Sequence, residues 1–122
     1  MENRIKVMVF EPLKEPYIEN IKNVPEAYKS IVEGETEEVR LDEKTLLICN
    51  SEGKEKELVP NRAIGNDIIC GVFYLTGQTK DGDLASIPDS VIPAYMEYFS
   101  NNIEKIDPEE VNNCFGCGFE IL

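Results

Sequence analysis

At 122 residues, with 42% apolar and 30% charged side chains, the chain has the size and composition of one globular domain able to bury a core without metals or disulfides. Its 24 acids against 12 bases, a net charge of −12, argue against direct binding to phosphate backbones, and the absence of histidine excludes every Ser–His or Cys–His nucleophile. No run is long and apolar enough to span a bilayer, and residues 1–6 lack the apolar heart of a signal peptide, so a cytoplasmic protein is expected.

Ile5, Val7 and Val9 alternate with Lys6 and Met8, the period-two signature of a strand. A second strand over 16–22 is expected antiparallel to it across the Pro12–Pro16 turn. Asn23 then caps a helix. Pro25 suits its first turn, Glu26 can close a capping box, and Val24, Tyr28, Ile31 and Val32 form its apolar face. Gly34 is expected as its left-handed stop. A strand over 37–41 and a turn over 42–44 lead into 45–49, whose unbroken apolar run is typical of a central strand.

After a tight turn over 50–53, the segment around Pro60 reads as a polar loop carrying a lone cation, Arg62, with Gly65 and Asn66 allowing positive φ. Residues 68–76 read as one strand in which Gly71 signals a bulge or a close backbone approach. A second helix begins near Asp89. Ile92, Tyr95, Met96, Phe99, Ile103 and Ile106 follow helical spacing and read as core packing, and Pro108 lies past the end. The order ββαβββα predicts an α+β fold: a mostly antiparallel sheet of about five strands with both helices on one face. Residues 1–107 form the expected domain, and 108–122 a tail or small appendage.

Cys114 and Cys117, three apart and followed by glycine, resemble one knuckle of a zinc ribbon. Cys49 and Cys70 do not supply a second knuckle, so incidental thiols are the favoured reading and no cofactor is expected. Carboxylate pairs are numerous, and at this acid density solvated turns explain them better than metal sites do. Asn61 and Arg62 are the most specific polar pair. The planar guanidinium can hold an anionic ligand or organise its own loop.

Residues 7–12 with 14–17, then 47–53, 60–63 and 67–73, carry a pattern that resembles the family catalogued as domain of unknown function 3846, over roughly residues 4–105. The turn over 50–53 and the Pro60–Asn61–Arg62 loop are its most specific parts. The resemblance implies a compact α+β domain in phages and mobile elements of Gram-positive bacteria, and it supplies no catalytic residues. The leading expectation is a non-enzymatic accessory protein that binds a host protein with a basic surface. Glu37, Glu38, Asp42 and Glu43 are its candidate contacts, with no direct nucleic acid or membrane partner. The alternative is a binder of small anionic ligands at Asn61 and Arg62. An enzyme, the least favoured reading, requires converging carboxylates.

Overall fold

The computed structural model describes residues 3–100. Strands β1 (Arg4–Phe10) and β2 (Tyr17–Lys22) precede helix α1 (Pro25–Val32). Strands β3 (Thr36–Asp42), β4 (Thr45–Asn50), β5 (Pro60–Ile64), β6 (Asp67–Cys70), β7 (Phe73–Gln78) and β8 (Leu84–Ala85) follow. A 3-10 turn, Asp89–Val91, then leads into helix α2 (Ile92–Tyr98). The main sheet runs β2-β1-β7-β4-β3 and is antiparallel throughout, with β8 pairing to β7 beside it. The fold is α+β, as the strand and helix pattern predicts.

The two helices lie on opposite faces of this sheet, not on one as expected. Ile5, Val7 and Val9 of β1 meet Val32, Tyr28 and Ile31 of α1 on one face. Met8 and Phe10 point the other way, toward Ile92, Tyr95 and Phe99 and the β5–β6 hairpin. The cause is legible in β4, which is buried at all six positions. A strand apolar on both faces needs a cover on each. Of the expected helical stripe, Ile92, Tyr95 and Phe99 reach the core while Met96 stays 43% exposed; Ile103, Ile106 and the domain boundary at 107 lie outside the described residues.

The segment around Pro60 is also a strand, not a loop. β5 and β6 form a separate hairpin closed at Gly65, whose φ is 56°. The run 68–76, expected to be one strand, breaks at Gly71 into β6 and β7, which belong to different sheets. Gly71 has φ +87°, and a Cβ there would stand 2.7 Å from Leu58 Cδ1. Only glycine takes that turn without strain.

Capping differs in detail. Val24 holds the N-cap position of α1, while Asn23 accepts from the Tyr28 hydroxyl and donates to the Leu84 carbonyl at 3.2 Å. Glu33, not Gly34, takes the left-handed conformation at the helix end, with φ 59°. Gly34 is needed for space instead: a Cβ there would lie 2.7 Å from Asn50 Nδ2, which donates to the Val32 carbonyl at 2.9 Å. The buried Asn50 thereby ties the end of α1 to the turn after β4, and its Oδ1 also accepts from the Glu52 amide at 2.7 Å.

Gly71→Ala is expected to lower stability by roughly 1–3 kcal/mol, because the strained φ is added to a close contact. Urea unfolding would measure it, and a change near zero would show that the β6–β7 junction tolerates a side chain.

Candidate functional site

Asn61 and Arg62 sit on β5, and the structure puts both side chains inside the protein, at 0% and 2% exposure. Asn61 Nδ2 donates to the carbonyls of Phe10 and Gly71, each at 2.9 Å. Arg62 Nε donates to Phe99 O at 2.8 Å, one terminal nitrogen to Lys14 O at 2.7 Å, and the other to Asn61 Oδ1 at 2.8 Å. The guanidinium lies 5.7 Å from the Phe10 ring centroid, and Phe10, Phe73 and Phe99 pack together with centroids 4.7–5.4 Å apart. Among the described residues no carboxylate pairs with it. Burial alone pushes the guanidinium below its ordinary pKa. Its donors are used on the chain's own carbonyls, so the geometry supports the structural role for this pair over capture of an anion.

The four candidate acids do not form one patch. β3 is an edge strand, and its alternation sends Glu37 toward the α2 side with Val39, while Glu38 faces the α1 side. Glu37 comes near Asp67, which ion-pairs with Lys54, and its Oε2 is buried without a hydrogen bond. Burial first, then Asp67, raises the Glu37 pKa, and Lys54 only partly offsets this. Asp42 accepts from the Tyr95 hydroxyl and from the Lys44 amide at 2.7 Å. Burial pushes its carboxyl upward, but those bonds outweigh it and hold the pKa below the ordinary value. Glu38 and Glu43 are exposed, and neither carboxylate has a described partner. Thus two of the four candidates are committed to the fold and two face solvent.

A feature that reading the sequence missed is an apolar groove of about 170 Å³ on the α1 side. Pro12, Ile31, Leu58, Val59 and Val72 form most of its wall, with Glu33 at the rim. Leu13, next to Pro12, is 58% exposed, and Val59 is 57% exposed. The available signal was the placing of Leu13, Leu58 and Val59 within otherwise polar, turn-rich segments.

Cys49 and Cys70 are buried. Cys114 and Cys117 lie outside the described residues. Among the described residues no three of His, Cys, Asp and Glu converge as metal ligands, and no helix is long and apolar enough to cross a membrane.

One family model, described as a domain of unknown function (DUF3846), matches residues 5–100. No curated protein matches the chain, and no solved structure does.

Arg62→Ala should cost about 3 kcal/mol or more, since it strands buried carbonyls and leaves a void. Arg62→Lys should recover only part, because a point charge cannot reproduce the fork. A melting temperature equal to the parent's in the alanine variant would contradict the structural role. For Glu37 the folded pKa lies above the ordinary 4.5, so the native state holds its proton more tightly than the unfolded chain does. Stability therefore falls as pH rises from 4.5 through the folded value, and the penalty persists above it. Glu37→Gln should raise the melting temperature at pH 7, with the gain vanishing on acidification below the ordinary value; a gain independent of pH would contradict this assignment.

Proposed function

The chain belongs to the family described as domain of unknown function (DUF3846), and from that premise we propose that it works by binding another protein through its acidic surface. The observation that carries this reading is the division among its carboxylates. Those of Glu37, Asp42 and Asp67 are taken up by buried or bonded positions, while Glu38 and Glu43 face water without a described cation. A chain with net charge −12 and such uncommitted carboxylates repels nucleic acid and attracts a basic protein surface over several ångströms. The phage and mobile-element setting implied by the resemblance makes that partner a cytoplasmic host protein. Binding, not turnover, is the activity this surface chemistry favours.

The test begins with affinity capture from a host-cell extract at low and at high salt. A specific partner should be retained at low salt and released as ions screen the contact. With the captured protein in hand, Glu38→Lys combined with Glu43→Lys should slow association about tenfold and flatten its salt dependence, with little change in dissociation. An association rate that ignores both the substitutions and the salt would remove the proposal.

A further inference from the structure

We infer that the apolar groove beside the end of α1 is the anchor point of that contact. Its occupant is an exposed segment of a partner protein that carries one bulky apolar side chain flanked by Lys or Arg. This inference rests on the acidic-surface reading and adds to it a location and a chemistry.

Size gives the first argument. The groove holds about 170 Å³, below the roughly 300–1,000 Å³ of sites that enclose small molecules, and it is open to solvent. It suits one or two apolar side chains presented on a backbone. Its walls, Pro12, Ile31, Leu58, Val59 and Val72, offer them no polar side chain to satisfy.

Charge gives the second. Three lysines in the flanking segments already have acidic neighbours: Lys14 with Glu11 at 3.7 Å, Lys29 with Glu35 at 3.3 Å, and Lys56 with Glu52 at 3.8 Å. Glu33 at the rim and Glu57, next to Leu58, are both exposed, and neither carboxylate has a described cation. The groove also adjoins the C-terminal end of α1, where the helix dipole favours positive charge. An apolar anchor with basic flanks matches this rim. A second copy of the same acidic chain does not, because Glu33 and Glu57 would face one another across the contact.

Backbone conformation gives supporting evidence. Among the described residues the non-glycine positions with left-handed φ are Leu13 at 62°, Glu33 at 59° and Glu57 at 55°. Each lies in the groove wall or next in sequence to a residue that does. Left-handed backbone costs a residue with a Cβ roughly 1–2 kcal/mol, and these three turns, at Glu33 the end of α1, frame the groove.

The test uses the full chain, isotope-labelled for amide NMR, and three short synthetic peptides. One carries a leucine flanked by arginine and lysine, a second has alanine in place of that leucine, and a third has the leucine flanked by glutamate. The basic leucine peptide should shift amides at 31–33, 58–59 and 71–72, and the alanine peptide should bind about tenfold more weakly or worse, the worth of one buried leucine. Val59→Asp, at a largely exposed position, and Glu33→Lys combined with Glu57→Lys should each weaken binding about tenfold while the melting temperature stays near the parent's. Shifts centred on Glu38 and Glu43, or equal binding of the leucine and alanine peptides, would overturn the groove and leave the acidic-surface reading standing. No shift from the basic peptides together with binding of the acidic one would overturn both.

Discussion

A guanidinium buried with no carboxylate partner among the described residues is the constraint around which this fold is arranged. Desolvating a cation is unfavourable unless its donors find acceptors in place of water. Arg62 meets that demand with carbonyls from the β1–β2 turn and the end of α2, and with the side-chain oxygen of Asn61. Asn61 in turn holds the end of β1 and the junction between the two sheets. Segments far apart in sequence must all arrive for either side chain to be satisfied. The three phenylalanines that close over this site exclude water, which strengthens each bond and makes a partly formed network unfavourable.

The same logic explains the motifs that carry the family resemblance. Asn50 binds the last carbonyl of α1 and shapes the turn that follows β4. At Gly53 a Cβ would stand 2.6 Å from the Cys70 carbonyl, so the turn passes against β6 only because no side chain is there. The Pro60–Asn61–Arg62 run is the start of the hairpin that covers one face of the sheet. These residues specify how the layers are joined. The surface proposed to meet a partner lies elsewhere, on residues with fewer demands from the core.

That surface follows from the architecture. Breaking the long apolar run at Gly71 sends the chain from the small hairpin into the main sheet, and the Gly71 amide bonds to the Val59 carbonyl at 2.7 Å as it crosses. The crossing leaves Leu58, Val59 and Val72 beside the end of α1, and the groove is the gap between them. Of the acids drawn toward the core, Asp42 is hydrogen-bonded and Asp67 is paired with Lys54, while Glu37 keeps one buried oxygen unbonded; the charge that meets water belongs to outward-pointing acids such as Glu38 and Glu43.

Taken alone, the sequence determined the elements whose local period is strongest. Alternation in residues 5–9, the Pro25 start, the apolar run 46–49 and the helical spacing from Ile92 to Phe99 each encode a local period that neighbours cannot easily override. It also marked Asn61 and Arg62 as unusual, and Gly71 as a point of close approach. Only the tertiary structure decided that 60–64 pairs with 67–70, that the helices take opposite faces, and that Glu37, not Glu38, turns toward the α2 side of the sheet. The physical reason is that local period fixes what a segment is, whereas burial, pairing and charge environment depend on which distant segments come to rest against it.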